Sequence, residues 1–249
     1  MPAEALAGTP LDIEVKRFRS AADALQGQDY FRASPFPPGR PALLIWQSPR
    51  ALLAAPGDAR LPRFEAAAQA SAAAGWPVAL RRAGGRICPV SPGTLQLAIS
   101  RPVSSGVTIG TAYEEMAVLV ETLLARFGVR GGRGPCPEAF CPGRYDIAVA
   151  GRKIAGLAQI WRRHGDEMTA ITGASVIIDE SPLELADAVN RFYRDMPDMP
   201  PCRAEAIGTL SVMAGRQVQA EEALEVLCSL VASSVPRRRA SSDQFGRAG

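Results

Sequence analysis

Apolar positions along the chain change their period several times. Pro41–Gln47 (PALLIWQ) and Ala51–Ala55 (ALLAA) are apolar runs too short for helices, set on either side of Ser48-Pro49-Arg50, and they read as strands about that turn. From Arg63 to Ala74 the chain is rich in alanine and stops at Gly75, as a helix with a glycine cap does. Pro77–Leu80 and Leu95–Ile99 read as strands flanking a Gly/Pro-rich loop. AYEEMAVLVETLLARF, Ala112 to Phe127, predicts a helix with Met116, Val120, Leu123 and Leu124 on one face and Gly128 as its stop. That reading puts Glu114 and Glu115 in the first turn, where the helix dipole favours acids.

From Gly128 to Gly143 the sequence GVRGGRGPCPEAFCPG is rich in Gly and Pro, and a loop that long inside a compact domain is functional or disordered. Tyr145–Val149 and Ile154–Ile160 follow as a hairpin about Ala150-Gly151, then Met168–Asp179 as a further strand region. At Ser181 the period changes: Ser at the N-cap, Pro182 at the first helical position and Glu184 nearby open a helix to about Met196. MPDMPPC breaks it, and Leu210 and Leu224 fall in two further helical segments, the second running from Ala220 to about Ser233. Mixed strands with helices and a helical end predict an α+β fold with a mixed, mostly antiparallel sheet. The expected organisation is one domain over residues 1–235, its first ~20 residues loosely held, with a basic tail over 236–249.

Composition narrows the function. With 249 residues and 47% hydrophobic content the chain can bury a substantial core, and a net charge of +3 with scattered arginines marks no nucleic-acid surface. The one basic run, Arg237, Arg238 and Arg239, sits among Ser, Ala and Gly and reads as a solvated terminus. MPAEALAGTPLDIEVKRF lacks the basic start and apolar run of an export signal, and no segment approaches the ~18 apolar residues of a membrane span, so a cytoplasmic protein is expected. Five cysteines make an odd number with no regular framework, so reduced thiols are expected. Cys136 and Cys141 have no matched second pair and make a weak metal site, so no metal is expected. His164 is the only histidine and falls in a predicted turn, which leaves little room for histidine-based catalysis.

Two features carry chemistry. RRAGGRICPVSPGTL, Arg81 to Leu95, places Gly84 and Gly85 directly after a strand, where paired glycines bring backbone amides close to a ligand or simply turn the chain. The spacing is neither that of a P-loop nor that of a dinucleotide fold. Lys153 is the second: the chain has two lysines, Lys16 and Lys153, and takes every other positive side chain from arginine. A lysine offers a compact point charge on a flexible stem, suited to a reacting oxygen, although a solvated turn lysine beside Arg152 fits the same composition.

Arg81-Arg82-Ala83-Gly84-Gly85, Pro92-Gly93 and above all DIAVAGRKIAGLAQ, Asp146 to Gln159, resemble the catalytic domain shared by lipoate-protein ligases and octanoyl or lipoyl transferases, related to biotin-protein ligases. The resemblance runs from about Pro41 to Val235. It implies that Lys153 holds the acyl carbonyl or an adenylate phosphate, and that Arg82, Gly84, Gly85, Arg86, Gly156 and Ala158 line the same pocket. The chain departs from the family pattern at Arg86, where a third glycine is common, at Val90 in place of a histidine, and at Thr172-Gly173 in place of His-Gly.

FCPGRYD, Phe140 to Asp146, resembles the segment that carries the nucleophilic cysteine in the amidotransferase and octanoyltransferase branch. By that resemblance Cys141 takes an octanoyl or lipoyl group as a thioester and passes it to a lysine of a lipoyl-domain carrier, the glycine cleavage H protein or a 2-oxoacid dehydrogenase E2, with acyl carrier protein as a further partner, and no cofactor is required. The alternatives are an ATP- and Mg-dependent lipoate ligase, in which Lys153 holds an acyl-adenylate and Cys141 is a bystander, and a non-catalytic protein that binds lipoate or a lipoyl domain. Neither nucleic acid nor membrane is an expected partner. One geometric obstacle stands: at ~3.3 Å per residue a straight strand leaves Cys141 far from Lys153, so the Pro142-Gly143 turn must fold it back or the loop must move.

Overall fold

A computed structural model describes residues 11–26, 41–103, 106–164, 166–196 and 198–234, and the basic tail lies outside them. The chain opens with β1 (Asp12–Arg17), helical residues 21–26 (α1), β2 (Ala42–Gln47) and β3 (Ala51–Ala54). Next come α2 (Phe64–Ala73), β4 (Val78–Leu80), β5 (Cys88–Val90), β6 (Thr94–Pro102) and α3 (Ile109–Arg126). Then follow β7 (Gly132–Arg133), β8 (Ile147–Val149), β9 (Arg152–His164), β10 (Glu167–Ile177), α4 (Pro182–Tyr193), α5 (Leu210–Met213) and α6 (Ala220–Ser234). A seven-stranded sheet has the order β1-β2-β6-β10-β9-β8-β7, parallel between β1 and β2 and antiparallel elsewhere. A three-stranded sheet, β4-β3-β5, stands apart from it. This is the α+β fold with a mostly antiparallel sheet that the hydrophobic pattern predicts.

β2 is buried along its whole length, which explains its unbroken apolar run: alternate residues serve two cores. Leu43 and Ile45 join Leu95, Leu97 and Val176 against Met116, Val120 and Leu123 of α3 and Leu227 of α6. Leu44 and Trp46 face the other way, toward Leu52 and Ala79 of the small sheet and Leu185, Val189 and Phe192 of α4. On that second face the strands present a row of small side chains in register, Ala158, Gly173 and Ala98, which leaves space above the sheet.

Three details differ from the sequence reading, and the course of β2 into β3 adds to it. Asp12–Arg17, inside the stretch expected to be loosely held, pairs as an edge strand with β2. β2 and β3 do not share a hairpin: the chain leaves one sheet for the other at Ser48-Pro49-Arg50. α3 starts at Ile109, because Thr108 and Thr111 form a reciprocal capping box at 3.1 and 2.8 Å. Glu114 and Glu115 therefore sit beyond the first turn, and buried Glu115 pairs instead with Arg101 across to β6. His164 closes β9. Among the described residues no helix is long and apolar enough to cross a membrane.

The β8–β9 turn matters most for the site. Ala150 and Gly151 have φ of 49° and 76°, the two positive values of a type I′ hairpin. Glycine accepts that conformation freely, whereas alanine there costs about 1 kcal/mol. Ala150→Asn, the residue this turn prefers, is expected to raise the melting temperature by about 2–4 °C in thermal denaturation. An unchanged or lower midpoint contradicts the strain assigned to Ala150.

Candidate active site

The site begins in the pairing of β8 with β9. Ala148 faces Lys153 but Ile147 faces Ala155, so one residue of β9 is extra and the strand carries a bulge. Strict alternation would put Lys153 and Gly156 on opposite faces of the sheet. The bulge re-aims the lysine: Ile154 and Ala155 turn into the α3 core, and Lys153, Gly156 and Ala158 all line the cavity on the other face. The lysine backbone is held from its far side by Gly208, whose amide donates to Lys153 O at 2.8 Å.

The Lys153 side chain is 1% exposed, and its partners all come from the cysteine segment. Nζ donates to Phe140 O at 2.9 Å and Cys141 O at 2.8 Å, and lies 3.0 Å from Asp146 Oδ1. Asp146 is equally buried, and its other oxygen accepts the Gly143 amide at 2.9 Å while Asp146 N donates to Gly143 O at 3.1 Å. Burial pushes the Asp146 carboxyl above its ordinary range, against the pull of the Lys153 ammonium and the Gly143 amide. This Gly143–Asp146 turn, with Cys141 itself at φ 43°, folds the segment back and removes the obstacle raised by a straight strand. Two loop carbonyls accept hydrogen bonds from the ammonium and Asp146 pairs with it as an ion, so an incoming oxygen meets Lys153 in competition with these partners.

The Cys141 sulfur looks the other way, toward the glycine loop. Sγ accepts from Arg86 N at 3.2 Å and from Arg81 Nη2 at 3.4 Å, and the same guanidinium nitrogen donates to Arg86 O at 2.9 Å. A cation and an amide thus both face the sulfur of a partly exposed cysteine, an electropositive setting. Gly85, at φ 105°, makes the approach possible: a Cβ there would lie 2.8 Å from Sγ and 2.9 Å from Arg81 Nη2. Gly84 has nothing within 4 Å of the same construction.

Two cavities share Cys141, Leu157 and Ala158 in their walls. The larger, about 500 Å³, lies over the small-residue row and is lined by Cys141, Lys153, Phe140, Gly156, Ala158 and Trp46 among others. The smaller, about 380 Å³, is lined by Cys141, Gly84, Gly85, Arg144, Gln159 and a stacked pair, Tyr113 and Tyr145, with ring centroids 4.2 Å apart. Burial raises the Tyr113 hydroxyl above its ordinary range, and neighbouring Tyr145 adds to that. The sequence-predicted residues thus divide. Lys153 Nζ reaches the backbone oxygen of Cys141 and not its sulfur; Arg82 and Gly156 line the larger cavity, Ala158 lines both, and Gly84 and Gly85 line the smaller one instead of the same pocket. The Arg86 side chain approaches Asp58 at 3.7 Å, and its contribution to the site is its backbone amide.

Sequence reasoning missed Arg81 and Asp146 as site residues. A signal existed for Asp146, the one acid between Phe140 and Gln159. Cys88 is buried in the larger cavity's wall, as a small filler that touches it. Burial pushes the Cys88 and Cys136 thiols up, and that of Cys202 up to about 11.

Residues 20–231 match the lipoyl protein ligase A/B catalytic domain, and the chain belongs to that family. Relatives carry the name octanoyl-[GcvH]:protein N-octanoyltransferase: that of Kyrpidia tusciae is 33% identical over 194 residues, covering 70% of this chain and 66% of the relative. That of Geobacillus kaustophilus is 25% identical over 193 residues, covering 73% and 66%. The matched stretch therefore spans just under two thirds of either relative. The fold is similar to that of a lipoate-protein ligase A solved with ATP, with TM-score 0.67 and 16% identity over 91% of this chain and 85% of that one. A bipartite lipoate protein ligase from Thermoplasma acidophilum gives 0.68 and 15% over 91% and 84%.

The two glycines of the loop should respond differently to a methyl group. Gly85→Ala is expected to destabilise the fold by about 2 kcal/mol through its positive φ and its overlap with Sγ, while Gly84→Ala stays within about 0.5 kcal/mol. Denaturant unfolding of both variants checks this. Equal effects contradict the close approach of the loop to Cys141.

Proposed function

We propose that this chain is an acyltransferase of protein lipoylation, moving an octanoyl or lipoyl group to a lysine of a lipoyl-domain carrier through a thioester on Cys141. The observation that carries the reading is that Cys141 lines both cavities while its sulfur is held by Arg81 and the Arg86 amide. The names of the relatives support it: their donor is an octanoylated GcvH and their acceptor a protein nitrogen. An octanoylated H protein is accordingly the favoured donor, an E2 lipoyl domain the favoured acceptor, and acyl carrier protein an alternative donor.

The chemistry divides into two balanced steps. The sulfur attacks the acyl carbonyl, a C–S bond forms, the donor's C–N bond breaks, and the thiol proton leaves with the released lysine amine. The acceptor lysine then attacks the thioester, a C–N bond forms, the C–S bond breaks, and the amine's proton restores the thiol. The acyl chain occupies the larger cavity over Gly156 and Ala158. The lysine stem enters through the smaller one, whose Tyr113–Tyr145 wall suits an alkyl chain ending in a cation. Lys153 keeps a positive charge beside the acyl carbonyl, whose oxygen exchanges for one of the loop carbonyls now on Nζ. No nucleotide enters this scheme, since the donor is already activated or exchanged amide for amide.

Incubation with an octanoylated carrier should give a hydroxylamine-labile adduct by intact mass, absent in Cys141→Ser. Lys153→Met should slow adduct formation by about 10²-fold or more. An unmodified wild-type protein, together with lipoate-dependent exchange of pyrophosphate into ATP, contradicts the transferase and supports the ligase alternative.

A further inference from the structure

The Arg86 amide that reaches the sulfur lies on an exposed loop, and a glycine-rich loop does not hold one peptide in place unaided. Its neighbouring peptide is gripped at both ends. Arg86 O accepts from Arg81 Nη2 at 2.9 Å, and Ile87 N, the other end of the same peptide unit, donates to Tyr193 Oη at 3.0 Å. Tyr193 Oη in turn donates to Asp58 Oδ1 at 2.7 Å. Asp58 Oδ2 accepts from Ala55 N at 2.9 Å, and Oδ1 lies 3.7 Å from Arg86 Nη1. Asp58 is 0% exposed and Tyr193 is 8% exposed.

We infer that Asp58 and Tyr193 are positioning residues for the reaction of Cys141: the carboxylate orients the phenol, the phenol fixes the Arg86–Ile87 peptide, and the adjoining Arg86 amide is thereby held on the sulfur. This rests on the proposed thioester chemistry for its purpose, although the contacts themselves exist without it.

The polarity of the chain has one sense. The Ile87 amide can only donate and the phenol has one hydrogen, so that hydrogen points at Asp58 and an oxygen lone pair is left for the amide. Burial raises Tyr193 well above its ordinary range, with Asp58 adding to that, so the phenol keeps the hydrogen it donates. The phenol sits at the last residue of α4 and the carboxylate in the turn after β3, two places the packing of the second core makes rigid. A fully buried carboxylate is costly, and a hydrophobic pair of the same volume would serve stability as well. What such a pair would not do is orient an amide. Cys141 sits at a positive φ on a loop of its own, so the two loops meet at the sulfur with one fixed from the core by Tyr193 and the other by Lys153.

Tyr193→Phe keeps the ring that packs edge-on against Phe192 and removes the hydroxyl alone. It is expected to slow acyl-enzyme formation from octanoylated carrier between about tenfold and a hundredfold, with KM for the donor within about twofold of wild type. The rate of Cys141 alkylation by iodoacetamide, which needs no transferase activity, should fall in parallel. Asp58→Asn, which leaves an oxygen to accept the phenol, should retain most of both rates, whereas Asp58→Ala should match Tyr193→Phe. Folded Tyr193→Phe protein that alkylates and acylates at wild-type rates overturns the inference, as does a loss confined to KM. If Tyr193→Phe melts too low to assay, Asp58→Ala against Asp58→Asn decides, and equal rates for those two overturn it. Normal wild-type alkylation without any acyl-enzyme would instead overturn the proposed function, leaving the alkylation comparison to test the network.

Discussion

An ammonium group that has lost almost all contact with water must be given other partners, because an unpaired buried charge costs about 3–5 kcal/mol. Lys153 stands in that position at 1% exposure, and every partner it has belongs to the segment from Phe140 to Asp146. Its charge therefore acts as a tether, drawing a Gly/Pro-rich segment with almost no regular structure of its own down onto the sheet. Asp146 completes the arrangement in both directions, as counter-ion to the lysine and as acceptor for the turn that reverses the chain. Gly156 is part of the same constraint, since a Cβ there would come within 2.9 Å of Lys153 Cε and 3.0 Å of Nζ.

Where the tethered segment meets the glycine loop, the Cys141 sulfur accepts from the Arg81 guanidinium at 3.4 Å. The division of labour follows from distance. Lys153 reaches the carbonyls of Phe140 and Cys141, Arg81 and the Arg86 amide reach the sulfur, and Cys141 lines both cavities. Volume in the larger cavity comes from small residues in register, Ala158, Gly173 and Ala98, a property of three strands at once.

Much of this was legible along the chain. The short apolar runs, the capped α4 helix with Ser181 and Pro182, and the hairpin at Ala150-Gly151 declare themselves through local chemistry that depends on few distant residues. Cys141 and Lys153 stood out because their motifs are contiguous. The bulge in β9 did not, since it depends on which residue of β8 finds which partner, and it inverts the facing that simple alternation assigns to Lys153. The separation of Gly84 and Gly85 from the larger cavity, and the roles of Arg81, Asp58 and Tyr193, arise from segments 60 to more than 100 residues apart in the chain, as in the pairs Arg81–Cys141 and Ile87–Tyr193. No period or spacing encodes such pairs; they follow from packing α4 and the small sheet against the large one. Burial in that layer also pushes the Cys202 thiol up.

The central claim is spatial: one sulfur serves a chain-binding cavity on one side and an incoming amine on the other. A crystal structure of the protein acylated by octanoyl donor tests it most directly. The account predicts density continuous from Cys141 Sγ, with the alkyl chain over Gly156 and Ala158 in the larger cavity and the smaller cavity left open beside Tyr113. An acyl group attached elsewhere, or a chain running from Cys141 into the smaller cavity or into solvent, would contradict it.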